Sequence, residues 1–382
     1  MSSGSIDISR LDAMFENALG EGVFPGAALL VGTPDGILLR KAWGVARYDR
    51  LGPVDDGVWW DLASLTKPLV TASLCMRTVA DGILSLEDPL TRFFPQALVP
   101  TEKREIRIRH LLTHSSGLPA HRPYYKELIH VPPARRASTL LAWVLDAPLL
   151  GAPGSSGLYS DLGFILLGMV LERIAEQPLD RQAHGLLFDP CGIADLDYRR
   201  LSVAMDSRIR PPELAEDSLQ RRFAATQDCP WRGRTLQGEV DDENAYCMEG
   251  VAGHAGLFGT VEGVYKWLAF LWGVYKGRDA GPHWRASVVR EFWTKQSPAP
   301  DRPWTLGFDT PSGARSSAGV HFSPHTVGHL GSTGTSFWMD LEREIVVVLL
   351  TNRVHPTRAN EKLKEFRPLP HNFIMESLYG AG

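Results

Sequence analysis

The chain has 382 residues, with 40 Lys+Arg against 44 Asp+Glu and a formal net charge of -4. Hydrophobic residues make up 44% and charged residues 22%, which excludes a disordered polyelectrolyte and leaves ample apolar mass for a large core. A near-neutral chain with pI ≈ 6.3 lacks the basic field that nucleic acid requires, and pairs such as Arg135-Arg136 and Arg221-Arg222 are too short to supply one.

The four cysteines, Cys75, Cys191, Cys229 and Cys247, form no C-x-x-C pair, so neither a disulfide scaffold nor a zinc ribbon is expected. The first residues, Met1 to Asp7, carry neither the basic nor the apolar segment of a secretory signal. The longest apolar runs, Phe164 to Leu171 and Ile345 to Leu350, are too short to span a bilayer. The chain therefore reads as a soluble protein of a reducing compartment, the cytoplasm, with no membrane span.

In chain order, Ile8, Leu11, Met14, Phe15 and Leu19 fall at helical spacing and predict a helix over 7–19. Ala27 to Val31 and Gly36 to Ala42 flank Pro34-Asp35-Gly36 and predict a hairpin. A helical pattern over 64–81 stops at Asp81-Gly82. The middle of the chain is mostly helical, most clearly from Asp161 to Glu176, where Leu162, Ile165, Leu166, Met169, Val170 and Ile174 make an apolar stripe. Residues 201–250 are polar and weakly periodic and read as a long excursion near the cleft. Three strands are predicted at 327–332, 336–341 and 345–351, with Glu342-Arg343-Glu344 as a turn, then a helix over 360–378 broken by Pro368 and Pro370. Strands at both ends with helices between predict an α/β fold whose sheet is completed by both termini. The expected division is 1–70 plus 251–382 for the α/β part and 71–250 for a mostly helical insert.

Three segments carry chemistry-bearing residues. Ser64 and Lys67 lie one turn apart in Asp61-Leu62-Ala63-Ser64-Leu65-Thr66-Lys67-Pro68, close enough for an amine to activate a hydroxyl. Tyr159 stands before the Asp161 helix in Gly157-Leu158-Tyr159-Ser160-Asp161, where a phenol can enter a cleft. His329 precedes Gly331 in Gly328-His329-Leu330-Gly331-Ser332, where glycine in a strand marks close backbone approach. Each motif alone is weak: a solvated lysine and a buried aromatic explain the first two better, and a surface histidine in a Gly-rich turn is the bland reading of the third.

In this order the three motifs resemble the signature elements of the serine β-lactamase and penicillin-recognising superfamily, closest to its class C β-lactamase branch with the related carboxylesterases and DD-peptidases. The stretch Ile108 to Pro119, the Gly250 to Phe258 run and Leu349-Leu350-Thr351-Asn352-Arg353 extend the resemblance along the chain. It implies a β-lactamase-like fold, with an antiparallel sheet flanked by helices. It implies Ser64 as nucleophile, Lys67 as its activating partner and Tyr159 as proton shuttle. The oxyanion hole would be the backbone N–H groups of Ser64 and Ser332, with Asp161, His329 and Gly331 at the substrate. No cofactor and no metal are implied. G-x-S-x-G, Walker A and H-E-x-x-H motifs are absent. His110 and His114 pair at i, i+4 without a third ligand and are expected to be structural.

Two departures from the family pattern bear on substrate. Asp161 stands where Asn is usual, which favours a cationic Lys67. The expectation is that Lys67 then lowers the pKa of Tyr159, which serves as base; a protonated or averted Asp161 is the alternative. His329 stands where Lys is usual and is mostly neutral at pH 7. Both changes suit a neutral ester, lactone or amide better than a carboxylate-bearing β-lactam. The expected function is thus an esterase-type serine hydrolase of a small molecule. A β-lactamase or D-amino-acid peptidase is the alternative, and a non-catalytic binding protein the second. Trp59, Trp60, Trp231 and Trp338 are candidates for an acyl pocket. Asp241-Asp242-Glu243 reads as a solvated face, and oligomeric state is not legible.

Overall fold

A computed structural model describes residues 5–201, 223–298, 304–313 and 316–380. Its centre is an antiparallel sheet built from both ends of the chain. From the N-terminal side come β1 (Gly26–Thr33), β2 (Gly36–Arg47) and β3 (Arg50–Pro53). Shorter strands follow: β4 (Trp60–Asp61), β5 (Leu196–Tyr198), β6 (Ala225–Cys229), β7 (Arg234–Gln237) and β8 (Leu257–Gly259). The last three are β9 (Thr326–Leu330), β10 (Ser336–Asp340) and β11 (Ile345–Thr351). The six-stranded order is β3-β2-β1-β11-β10-β9, with β1 joined to β11 from Ala27↔Thr351 to Gly32↔Val346.

The sheet is central because its middle strands are apolar on both faces. Leu29, Val31, Val347 and Leu349 pack with Phe15 and Phe24 under the Ile8–Gly20 and Pro368–Tyr379 helices. Their neighbours Ala28, Leu30, Val346 and Val348 point the other way, into a larger core that includes Trp267 and Leu268 of the Val261–Tyr275 helix. This is the period-two alternation of a strand covered on both sides. The Asp161–Ala175 helix crosses that larger core and begins at Ser160, whose hydroxyl accepts the Gly163 N–H at 3.3 Å.

Several expectations are sharpened. The 64–81 segment is not one regular helix: Ala63–Leu65 is a 3₁₀ turn, Lys67–Ala72 a π-helical turn and Ser73–Ala80 an α-helix. Pro68, which has no N–H, sits at the start of the wide turn, and the Ser73 hydroxyl donates to the Pro68 carbonyl at 2.9 Å. The expected break in the last helical segment falls just before Pro368: the Leu363–Phe366 helix ends there, and Pro368 and Pro370 lie in the first turn of Pro368–Tyr379, where proline is at home. The described part of the 201–250 excursion is the β6–β7 hairpin and a short Glu243–Cys247 helix; 202–222, with Arg221-Arg222, lie outside the described residues. Asp241-Asp242-Glu243 is not a solvated face. Asp241 is buried, Arg358 pairs with Asp241 and Glu243 at 2.8 Å each, and Asp242 pairs with His254 at 2.9 Å. Among the described residues no helix is long and apolar enough to cross a membrane.

Candidate active site

The turn that carries Ser64 is fixed before Ser64 is reached. β4 pairs with β8 through Trp60↔Gly259 and Asp61↔Phe258. The buried Asp61 carboxylate accepts the Ala63 N–H at 2.8 Å and the Asp241 N–H at 2.6 Å. Ala63 has φ +47, a left-handed conformation that costs an L-residue about 1–2 kcal/mol. A backbone so strained, next to the expected nucleophile, persists only where its surroundings over-determine it. The Asp61 and Leu62 carbonyls accept the hydroxyls of Thr333 (2.7 Å) and Thr335 (3.1 Å), which stitch this turn to the β9–β10 connection. Gly331 permits that approach, because a Cβ there would lie 2.0 Å from Thr335 Oγ1 and 2.8 Å from the Leu62 carbonyl oxygen.

Lys67 is fully buried beneath Ser64. Its Nζ donates to Ser64 Oγ at 2.9 Å and to the His254 carbonyl at 3.2 Å, and pairs with Asp161 Oδ1 at 2.8 Å. The backbone that supplies the His254 carbonyl can come this close because Gly253 has no side chain: a Cβ there would meet the Phe164 carbonyl oxygen at 2.2 Å. Tyr159 stands beside both, with Lys67 Nζ 4.8 Å from its ring centroid and its hydroxyl under the influence of Lys67 and Ser64. Behind it, His114 accepts the Ser160 N–H at 3.0 Å and its ring lies 4.4 Å from the Tyr159 ring. His110 accepts the Arg107 N–H at 3.2 Å, so both histidines serve the backbone, as expected.

Burial disfavours both charges of the Lys67–Asp161 pair, but each ion rescues the other. Asp161 and Tyr159 hold Lys67 above its ordinary value; Lys67 and His121 hold Asp161 well below the usual carboxylate range. Lys67 is therefore an ammonium. The expected lowering of Tyr159 does not follow: burial outweighs the pull of Lys67 and pushes the phenol up to about 12. His329 is buried, and its Nδ1–H donates to the Leu330 carbonyl at 2.8 Å. Burial presses its pKa down, so the ring is neutral, and Nε2 has no hydrogen-bond partner among the described residues.

Ser64, Tyr159, His329, Gly331 and Ser332 share the wall of one cavity of about 540 Å³, with Trp304 and Trp338. The backbone N–H groups of Ser64 and Ser332 make no hydrogen bond among the described residues. Asp161, expected at the substrate, pairs with Lys67 and is not among the residues that line this cavity. Of the tryptophans named from sequence, Trp338 lines the cavity, whereas Trp59, Trp60 and Trp231 do not. No described residue of 223–250 lines it either; that segment supports the Ser64 turn from behind through Asp241. Sequence reasoning did not single out Asp61, His254, Thr333, Thr335 or Arg367. Only Asp61 had a local signal, its place three residues before Ser64. Among the described residues no group of three His, Cys, Asp or Glu is placed to hold a metal ion.

The family model for Beta-lactamase matches residues 11–369. The chain belongs to the beta-lactamase family. Beta-lactamase-family proteins of this kind are serine hydrolases, and so is this chain. It is 30% identical to a Salmonella agona (strain SL483) protein named "Putative D-alanyl-D-alanine carboxypeptidase", over 98% of this chain and 90% of that protein. Its fold is similar to that of EstCE1, described as a hydrolase with promiscuous acyltransferase activity, with TM-score 0.69 and 20% identity over 94% of this chain and 98% of that one. It is equally similar to a beta-lactamase/D-alanine carboxypeptidase from Pseudomonas syringae, with TM-score 0.70 and 17% identity over 95% and 98% of the two chains.

Proposed function

We propose that the protein opens a small ester or amide through an acyl-enzyme on Ser64, with ester turnover above β-lactam turnover. The observation that carries this reading is the 2.9 Å contact between Lys67 Nζ and Ser64 Oγ, with the Tyr159 ring 4.8 Å from Lys67 Nζ on the wall of the same cavity. Lys67 is already protonated, so it orients Ser64 and stabilises negative charge rather than accepting the proton. Tyr159 is a neutral phenol, so the balanced step is a relay. Ser64 Oγ bonds to the carbonyl carbon as its proton passes to the Tyr159 oxygen. The Tyr159 proton passes to the leaving oxygen or nitrogen as its bond to carbon breaks. The carbonyl oxygen collects its charge on the free N–H groups of Ser64 and Ser332. Water then runs the relay in reverse and frees Ser64.

The neutral His329 supports an ester or amide over a substrate held by a cation at that position. Beta-lactamase or D-amino-acid peptidase activity is the second reading, favoured by arginines elsewhere on the cavity wall. A cytoplasmic setting agrees with four free thiols. The test is steady-state hydrolysis of p-nitrophenyl butyrate beside a chromogenic cephalosporin. The ester should show the higher kcat/KM, and Ser64→Ala should lose roughly 10³-fold or more on both. Faster cephalosporin turnover would reverse the order of the two readings, and unchanged ester turnover in Ser64→Ala would end both.

A further inference from the structure

β9 is the edge strand of the six-stranded sheet, and a second cavity of about 440 Å³ lies along its first half, without Ser64 on its wall. The strand passes from this cavity at Val327 to the Ser64 cavity at His329. Between them the Gly328 backbone donates to the Asp309 carbonyl at 2.9 Å and accepts the Asp309 N–H at 2.8 Å. That pairing covers the strand edge and keeps the two spaces apart. Two buried side chains on the second wall carry polar atoms with no hydrogen-bond partner among the described residues: the indole N–H of Trp293, 5% exposed, and the hydroxyl of Thr326, 0% exposed. Buried polar groups are ordinarily satisfied, and an orphan asks for an explanation.

The charge of this wall has one sign. Arg290, Lys295 and His325 line it, and no carboxylate does. His325 faces Glu342 at 3.4 Å, but neither Arg290 nor Lys295 has an ion pair among the described residues. Arg290 is nonetheless held in place: its Nε donates to the Tyr275 carbonyl at 3.0 Å, and its guanidinium lies 5.7 Å from the Tyr275 ring centroid. The remaining wall is apolar and flat. Tyr275 stacks on Trp293 with ring centroids 5.2 Å apart, beside Val327 and Leu341. Unpaired cations beside a flat apolar wall fit an anion that carries such a surface of its own. We propose that this second cavity binds a small organic anion with a flat apolar body, its carboxylate or phosphate held by Arg290 and Lys295 and its body lying against Trp293 and Val327. The site is separate from the Ser64 chemistry and does not depend on it.

The test titrates the whole protein with 2-naphthoate, 2-naphthyl phosphate and the uncharged 2-naphthylmethanol while its tryptophan indole N–H resonances are followed by NMR. Trp293→Phe identifies the Trp293 signal. At least one of the two anions should move that signal to saturation at millimolar concentration or below, and the better of the two tells which head group the site takes. The alcohol should bind about tenfold more weakly than that anion. Arg290→Gln and Lys295→Gln, each checked for an intact melting transition, should weaken anion binding by about two- to fivefold apiece, as expected of exposed charges. The double variant should bind anion and alcohol alike. Ser64→Ala should bind the anion as wild type does. A Trp293 signal that none of the probes moves, equal binding of anion and alcohol by wild type, or anion binding unchanged in the double variant overturns the site. Loss of the response in Ser64→Ala would put the probe in the Ser64 cavity and overturn it as well.

Discussion

Lys67 has three N–H bonds to give and three protein acceptors in reach: Ser64, Asp161 and the His254 carbonyl. With its donors used and its charge paired, it has no lone pair for a proton, and this is what moves the transfer to Tyr159. Because the relay needs no group ionised beforehand, kcat/KM should be flat across the neutral pH range. Asp161→Asn removes the carboxylate that raises Lys67, and burial then drives the lysine down. A titrating base enters the reaction, and the variant's pH–rate profile should gain an acid limb that wild type lacks. Identical profiles would contradict the role given to Asp161. Tyr159→Phe, which breaks the relay, should slow acylation by roughly 10²–10⁴-fold in a pre-steady-state burst. At this scale Ser64 and Lys67 were legible because their spacing is local. Asp161 was legible as the carboxylate that keeps Lys67 cationic, but it was also expected at the substrate, whereas it pairs with a lysine from another segment and is not on the cavity wall.

Elements matter here through how closely they meet. The β9 end abuts the Ser64 turn only because Gly331 has no side chain. Gly331→Ala must push β9 away from the Leu62 carbonyl and disturb the free Ser332 N–H. A displacement near 1 Å at a reacting centre costs on the order of 10²-fold, so kcat should fall by about that much while the melting transition shows the protein still folded. Near-normal kcat in this variant would mean that Ser332 is not an oxyanion donor. Strand positions were readable from alternation, as in Val346 to Leu350, and the Asp161 helix from its stripe. The 3₁₀ and π turns around Ser64 were not, since they follow from Asp61 gripping Ala63 and from contacts with β8 and the β9–β10 turn, far away in sequence.

In the whole molecule, the two chain ends meet in one sheet and supply most of the Ser64 cavity wall, to which the middle of the chain adds Tyr159. Asp61 shows how tightly these parts are tied. Burial, then the charge of Asp241, raises its carboxyl to about 7 from an ordinary 3.8. Between those values the folded protein keeps a proton that the unfolded chain releases, so through Asp61 stability falls as pH rises from about 4 to 7. In Asp61→Asn this contribution disappears. The urea midpoint of wild type, followed over that window, should decline relative to the variant's; parallel curves would refute the raised carboxyl. The meeting of both ends was legible in sequence from strands at each terminus, but the place of Arg367 on the Ser64 cavity wall was not. Nothing local distinguishes Arg367 from a solvated residue until the last two helices bury it against the cavity.

The central claim is that a covalent bond forms at Ser64, and intact-protein mass spectrometry after exposure to a fluorophosphonate reads it directly. One adduct per chain should appear on wild type, map to the peptide containing Ser64 and vanish in Ser64→Ala, in step with ester turnover. An adduct on another residue, or equal labelling of the two proteins, would contradict the account.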